Sequence, residues 1–131
     1  MAYLKPPAFQ RAVFNKLSMK FGLGGAVKLT TTGRKSGAKS SVPVVPVSVD
    51  GKRYLVSTRG EAFWVRNLRA NPACELHTKG KVERLRVTEI PTAAWPPIIA
   101  AYRPVAGRVV EGYFKALPDP ADHPVFLIET A

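Results

Sequence analysis

Residues 27–51 read VKLTTTGRKSGAKSSVPVVPVSVDG, and this stretch decides the fold class. Runs rich in β-branched residues alternate here with glycine-containing turns, which is the pattern of paired β-strands. The pattern predicts a first strand over Val27–Thr32, a loop over residues 33–37 and a second strand over residues 41–49. Asp50-Gly51 then favours a two-residue hairpin turn.

Two prolines, Pro43 and Pro46, fall inside the second predicted strand. Because proline has no backbone N–H, it cannot donate a hydrogen bond to a neighbouring strand. We therefore expect this strand to lie at a sheet edge, to contain a bulge, or to leave room for a ligand in place of a neighbouring strand.

The rest of the chain continues with short strands and short helices. Its patterns predict strands over residues 53–58, 74–79, 82–90 and 125–128, the last of them central and buried. Helices are predicted over residues 6–21, 62–70, 91–102 and 108–117, with Arg103-Pro104 ending the third. We expect one α+β domain over residues 1–131, mainly β, with six mostly antiparallel strands in a closed or nearly closed barrel.

The composition is that of a packed globular protein, with 46% hydrophobic and 22% charged residues. The single cysteine, Cys74, cannot form an intramolecular disulfide, which indicates a reducing compartment. One cysteine and two histidines also argue against a structural zinc site, so we expect no metal. No apolar run approaches the ~20 residues of a membrane helix, and Lys5 and Arg11 interrupt the region where a signal peptide would lie. We expect a cytoplasmic protein.

Positive charge is concentrated near the start of the chain. The net charge is +11, yet residues 1–49 contain eight Lys or Arg and no Asp or Glu before Asp50. Such asymmetry indicates an anionic partner, which is a phosphorylated cofactor, a nucleic acid or a membrane surface. The helix predicted over residues 6–21 is basic and amphipathic, so peripheral membrane contact through the N-terminal segment 1–22 is an alternative to packing on the core.

The segment TTTGRKSG, residues 30–37, has the features of an anion site. Its two glycines allow a tight turn with exposed N–H groups, Arg34 and Lys35 supply charge, and Ser36 supplies a hydroxyl. The spacing is not that of a P-loop. The alternative interpretation is a solvated hairpin tip with two basic residues.

A second segment reads STRG at residues 57–60 and WVRNLRANP at residues 64–72. On a helix, Trp64 and Asn67 lie on one face. An indole beside an amide suits a flat heterocycle, through stacking and through hydrogen bonds to the ring edge. The alternative is that Trp64 and Leu68 close one end of the barrel.

Taken in order, these two segments resemble the deazaflavin-dependent nitroreductase family, clearly over residues 28–90 and more loosely to residue 128. The resemblance implies a six-stranded split β-barrel, similar to the FMN-binding barrels. It also implies the cofactor, reduced coenzyme F420, which is an 8-hydroxy-5-deazaflavin with a phosphodiester and an oligoglutamate tail. Relatives usually have arginine at the position of Ser40, where this chain has Lys39 as the adjacent cation.

The resemblance further implies which residues bind the cofactor. Its phosphate and tail are held by Arg34, Lys35 and Ser36. Its ring and side chain are lined by Ser40, Ser41, Val42, Pro43, Val44 and Val45. Backbone groups meet the ring at Val56, Ser57, Thr58 and Arg59. The other side of the ring is covered by Phe63, Trp64, Val65, Arg66 and Asn67.

The implied activity is hydride transfer from the reduced coenzyme to a small organic acceptor, an activated alkene, a quinone or a nitro compound. Such a reaction requires no side-chain nucleophile. The product still needs a proton, for which Tyr102, expected close to the substrate, and bulk water are the two candidates. Barrels of this type are often completed by a second subunit, so both a monomer and a homodimer are open.

Three other functions fit the residues. A reductase that binds FMN or FAD is one, because a basic phosphate loop suits either cofactor. A nucleic-acid-binding barrel is another, but Tyr54, Phe63 and Trp64 do not form a basic–aromatic stripe, so we expect no nucleic-acid partner. A lipid-binding barrel is the third.

Overall fold

The computed structural model describes residues 27–130. The helix predicted over residues 6–21, and with it the membrane contact considered for the N-terminal segment, lies outside these residues.

Seven strands form one sheet in the order β2-β1-β5-β6-β7-β4-β3. Every pair of neighbouring strands is antiparallel. The strands are β1 (Val27–Thr32), β2 (Lys39–Val44), β3 (Val47–Val49), β4 (Lys52–Val56), β5 (Ala73–Thr78), β6 (Lys81–Glu89) and β7 (Val125–Thr130). The fold is thus a mainly antiparallel α+β split barrel, with β7 at a central position, as the sequence predicts.

The prediction of a single strand over residues 41–49, and so of six strands, was wrong. The chain leaves β2 after Val44 and begins β3 at Val47, and Pro46 stands in the break, where no N–H is needed for pairing. Since β2 and β3 are the two edges of the sheet, only Val45 and Pro46 connect one edge to the other, and the chain from Val44 to Val47 spans at most about 10 Å. The sheet must therefore curl until its edges approach, which produces the split barrel.

The hairpin predicted at Asp50-Gly51 is confirmed. Both residues have positive φ, 52° and 79°, which is the backbone of the turn type that matches strand twist. The turn joins β3 to β4 and aligns Val49 with Lys52.

Three helices accompany the sheet: α1 (Phe63–Ala70), α2 (Trp95–Ala106) and α3 (Arg108–Ala116). Short 3₁₀ turns occur at Thr92–Ala94 and Pro120–Asp122. The prediction that Arg103-Pro104 ends the helix of residues 91–102 was wrong, because α2 continues to Ala106 and stops at Gly107, where φ is 81°. The last turn of α2 packs on the core through the buried Ala106, although Pro104 has no N–H for the helical hydrogen bond.

The two faces of the sheet carry two separate cores. The barrel interior contains residues from β1, β4, β5, β6 and β7, which pack against Trp64, Val65 and Leu68 of α1. The outer face near β3, β4 and β7 is covered by α2 and α3, through Trp95, Ile98, Ile99, Tyr102, Val110 and Phe114. Helix α1 thereby closes one end of the barrel, whereas α2 and α3 form a layer outside it.

Two further observations apply to residues 27–130. No helix in this range is long and apolar enough to span a membrane. The same residues contain no group of three or more His, Cys, Asp or Glu side chains that could hold a metal ion.

Candidate functional site

The turn between β1 and β2 spans residues 33–38, which we call the basic loop. It is closed by a hydrogen bond from the Gly33 N–H to the Ala38 carbonyl (2.7 Å) and by one from the Gly37 N–H to the Gly33 carbonyl (2.9 Å). Both positions favour glycine: a Cβ on Gly33 would lie 3.0 Å from the Ala38 oxygen, and Gly37 has a φ of +75°. The tight turn predicted from the two glycines is confirmed.

The basic loop carries positive charge that the described residues do not neutralise. Arg34 is partly exposed, and Lys35 and Ser36 are exposed. Among residues 27–130, no carboxylate forms an ion pair with Arg34 or Lys35. The backbone N–H groups of Lys35 and Ser36 also donate to no residue in that range. Uncompensated cations beside exposed N–H groups are the components of an anion-binding site.

Asn67 of α1 fixes the start of the basic loop. Its side-chain oxygen accepts hydrogen bonds from the Arg34 backbone N–H (3.2 Å) and from the Arg34 guanidinium (3.1 Å). Its Nδ2 donates to the hydroxyl of Thr31 on β1 at 3.1 Å. Asn67 therefore joins α1, β1 and the loop at one point, although it is only 4% exposed.

Phe63 lies beside this network at the start of α1. It is 62% exposed, and the Arg34 guanidinium carbon stands 5.5 Å from the centre of its ring. The first turn of α1 contains no acidic residue, so the positive end of the helix dipole adds to the charge of Arg34. The basic loop and the beginning of α1 thus form one positive surface with an exposed aromatic ring.

Trp64, the next residue, points into the protein. It is 7% exposed and packs against Phe126 of β7, with ring centres 5.8 Å apart. Val65 is fully buried in the same core. The structure places Trp64 in the closed end of the barrel, which was the alternative interpretation, and leaves Phe63 and the partly exposed Arg66 at the surface.

The predicted ring-lining residues of β2 are divided between the two faces of the hairpin. Ser40, Val42 and Val44 pair with Thr31, Leu29 and Val27, so they share the face of the barrel interior. Ser41 and Pro43 lie on the opposite face, where the hydroxyl oxygens of Ser41 and Thr30 are 2.8 Å apart.

Lys39 also lies on that opposite face, and its ammonium group donates to the Thr32 hydroxyl at 3.3 Å. It is thus on the other side of the strand from Ser40, as strand alternation predicts. Val45, beyond the end of β2, is buried under α2 and α3.

At the end of β4, Val56 and Ser57 are buried and Thr58 and Arg59 are partly exposed. The Ser57 N–H donates to the Pro124 carbonyl at 2.9 Å, and the Ser57 carbonyl oxygen lies 2.9 Å from His123 Nδ1. The Ser57 hydroxyl donates to the Gly60 carbonyl at 2.6 Å. Because both backbone groups of Ser57 are used internally, Thr58 and Arg59 are the better placed to meet a ligand.

Tyr102 belongs to the outer core and not to the group around Arg34. It is 4% exposed, its ring centre is 6.4 Å from that of Phe114, and burial raises the pKa of its hydroxyl. Its role as a proton donor remains a prediction.

Two structural contacts near the site have no motif in the sequence. His123 is fully buried and bridges the carbonyls of Ser57 and Leu117. Arg69 of α1 binds Glu61, in the turn before the helix, and Glu89 at the end of β6. Only the tertiary fold brings these groups together, so spacing along the chain could not reveal them.

Comparison with solved structures identifies the class of fold. The heme storage protein HutZ from Vibrio cholerae matches with a TM-score of 0.57 at 14% identity, over 90% of each chain. A FAD-binding protein from Mesorhizobium loti matches with a TM-score of 0.53 at 19% identity, over 95% of this chain and 90% of that one. At these identities the likeness concerns the fold alone, and the chain has this split-barrel fold.

The family follows from more specific matches. The F420H(2)-dependent quinone reductase family model matches residues 7–112. A structure described as an F420-H2 dependent reductase (FDR-A) is 30% identical, over 79% of this chain and 93% of that one, with a TM-score of 0.53. A structure described as a domain-swapped dimer is 27% identical, over 90% of this chain and 97% of that one, with a TM-score of 0.55. No curated protein sequence matches the chain.

The chain therefore belongs to the F420H(2)-dependent quinone reductase family. It is an oxidoreductase that uses coenzyme F420, as the resemblance of its two motifs implies.

The residues present fit this coenzyme. A ligand with a phosphodiester and several carboxylates requires fixed cations and free N–H donors, and the basic loop offers both. A flat ring requires an exposed apolar or aromatic surface nearby, and Phe63 provides one at the same place.

Proposed function

We propose that this protein reduces a quinone with coenzyme F420H2 and that the basic loop holds the phosphodiester and oligoglutamate tail. Arg34, Lys35 and Ser36 carry the tail. The ring lies against the barrel-facing residues Ser40, Val42 and Val44 and the turn at Thr58 and Arg59, with Phe63 at its border. When bound, the reduced coenzyme supplies the hydride.

One observation carries this proposal: within residues 27–130, Arg34 and Lys35 have no carboxylate partner, and they stand on a turn that is closed by two backbone hydrogen bonds. A turn whose backbone is already held by hydrogen bonds has less conformational freedom to lose when it binds an anion, so more of the contact energy appears as affinity. In contrast, Arg53, Arg69 and Arg103 each pair with a glutamate.

The part of the protein in the reaction is to bind, orient and shield. The hydrogen bonds of Ser57 hold the turn before α1 in place, and Trp64 closes the barrel end behind Phe63. Bulk water supplies the proton in this scheme, since Tyr102 is buried in the outer core.

The test is a fluorescence titration of the oxidised coenzyme into wild type and the double variant R34A/K35A at low ionic strength. Each charge-assisted contact contributes about 1.5–3 kcal/mol, so the double variant, which removes two of them, should bind at least about a hundredfold more weakly. The matched control is K79A/K81A, which removes the same charge from exposed residues of the β5–β6 turn at the opposite end of β1.

The control should bind within about twofold of wild type. Equal losses of affinity in both double variants would show a general charge effect. Unchanged affinity in R34A/K35A would show that the basic loop does not bind the tail. Reduction of a soluble quinone by the bound reduced coenzyme, followed at a fixed saturating coenzyme concentration, tests the acceptor.

We further propose that the protein forms a homodimer. One similar structure is described as a domain-swapped dimer, and within the described strands β2 and β3 each have one neighbour only. Light scattering after size-exclusion chromatography decides this, since a monomer mass at the highest concentration would contradict it.

A further inference from the structure

The amide of Asn67 is almost fully used by the protein itself. Its oxygen has two lone pairs, and both are occupied, by the backbone N–H and by the guanidinium of Arg34. One of its two N–H groups donates to Thr31. With the residue 4% exposed, no acceptor capacity is left for the edge of a coenzyme ring.

The same contacts orient the Arg34 guanidinium. Asn67 holds one of its nitrogens, Nη1, at 3.1 Å, and Phe63, one helical turn earlier on α1, lies against its face. Among the described residues, Nε and Nη2 of Arg34 donate to no acceptor. The guanidinium is thus fixed on one edge and one face and presents its remaining N–H groups to solvent, in the fork arrangement that binds phosphate or carboxylate oxygens.

We propose that Asn67 is a positioning residue, which sets Arg34 for the anionic tail of the coenzyme and does not touch the coenzyme. This inference rests on the proposed function, because it takes the basic loop as the tail site. It changes the role expected for Asn67 from a contact with the ring to control of the loop.

The experiment compares two ligands. One is the complete coenzyme, and the other is a truncated coenzyme that has the same deazaflavin ring but lacks the phosphodiester and the glutamates. Asn67→Ala should weaken binding of the complete coenzyme about tenfold. It should leave affinity for the truncated coenzyme within about twofold of wild type. A residue that bonds to the ring would affect both ligands equally, so equal weakening overturns the proposal.

A double-mutant cycle adds a second readout. If Asn67 acts through Arg34, then Asn67→Ala in an Arg34→Ala background should change affinity for the complete coenzyme by less than about twofold. Full additivity of the two losses would show that Asn67 acts without Arg34 and would also overturn the proposal.

Thr31→Val serves as the second variant, because it keeps the side-chain shape but removes the acceptor that holds Asn67 Nδ2. It should show a smaller loss with the same preference for the complete coenzyme, and it carries the test where Asn67→Ala does not fold. A loss of affinity for the truncated coenzyme in this variant, or no loss for either ligand, contradicts the positioning role.

The failure of the proposed function has its own signature. If wild type binds the complete coenzyme no better than the truncated coenzyme, the basic loop is not the tail site, and the role proposed for Asn67 is wrong as well. If the complete coenzyme binds better and Arg34→Ala abolishes that preference while Asn67→Ala does not, only the inference on Asn67 fails.

Discussion

His123 Nδ1 lies 2.9 Å from the carbonyl oxygen of Ser57, 66 residues earlier in the chain. The other ring nitrogen, Nε2, is 2.6 Å from the Leu117 carbonyl, and the imidazole is fully buried against Phe114. One side chain therefore connects the end of β4, where the coenzyme ring is expected, to the end of α3. The turn at Thr58 and Arg59 begins from this fixed point.

Replacement of His123 by alanine should be strongly destabilising. It leaves two carbonyl contacts unmade and opens a cavity, so we expect a loss of about 2–4 kcal/mol in the free energy of unfolding. Urea denaturation measures this. His77→Ala is the control, since that histidine is half-buried and pairs with Glu75 on the same strand; it should cost less than about 1 kcal/mol. Similar costs for both would contradict the anchoring role of His123.

Alanine substitutions of Phe63 and Trp64 should have different effects, one on coenzyme binding and the other on stability. Trp64→Ala removes a buried ring from the barrel core and should cost about 3–5 kcal/mol of stability. Phe63→Ala should change stability by no more than about 1 kcal/mol, because the ring is largely exposed, yet it should weaken coenzyme binding several-fold by freeing Arg34. Thermal unfolding and coenzyme titration of both variants check this. If Trp64→Ala lost binding but not stability, and Phe63→Ala lost stability but not binding, the coenzyme would contact Trp64 and not Phe63.

Arg69 should contribute more than an ordinary surface arginine. It joins Glu61 and Glu89, and its hydrogen bond with Glu89 is the main reason that its pKa is raised. Arg69→Ala should cost about 1–2 kcal/mol, since Glu61 is largely buried and would lose its partner. Arg84→Ala, at an exposed arginine 3.9 Å from Glu75, should cost less than about 0.5 kcal/mol. Chemical denaturation of the two variants compares them directly, and equal costs would argue against a special role for Arg69.

Stability should fall in alkaline solution. Burial in β5 raises the pKa of the Cys74 thiol from 9.0 to about 11. Between these values the unfolded chain loses the thiol proton while the folded protein keeps it, so the unfolded state binds fewer protons and stability decreases as pH rises. Burial of Tyr102 acts in the same direction.

Urea denaturation of wild type and Cys74→Ala at a series of pH values from neutral to about 11 measures this contribution. The decrease should be smaller in the variant. Parallel curves for the two proteins would show that the thiol contributes nothing.

Much of the fold could be predicted from local patterns. Local patterns placed strands at residues 74–79 and 82–90, close to the observed β5 and β6, and Asp50-Gly51 marked the hairpin. These features depend on residues that are adjacent in sequence, where turn geometry and side-chain alternation act directly.

The errors occurred where tertiary packing decides. Pro46 lies where the chain passes from one sheet edge to the other, and the curl of the whole sheet determines that position. Pro104 lies inside α2, and the turn beyond it packs on the core through Ala106, a tertiary contact that the local pattern does not show. The sequence left open which of the neighbouring rings, Phe63 or Trp64, is exposed, because this depends on how α1 sits on the barrel, which a helical pattern of eight residues does not specify.

The most direct test of the tail site is an amide NMR titration of the isotope-labelled protein with the oxidised coenzyme. The backbone N–H signals of Lys35 and Ser36, which donate to no residue in the described range, should shift most, together with those of Arg34, Thr58 and Phe63. Signals of the β5–β6 turn at Lys79 and Gly80 should remain in place. Shifts centred on that turn, or spectra unchanged at saturating coenzyme, would contradict a coenzyme site built on Arg34 and Lys35.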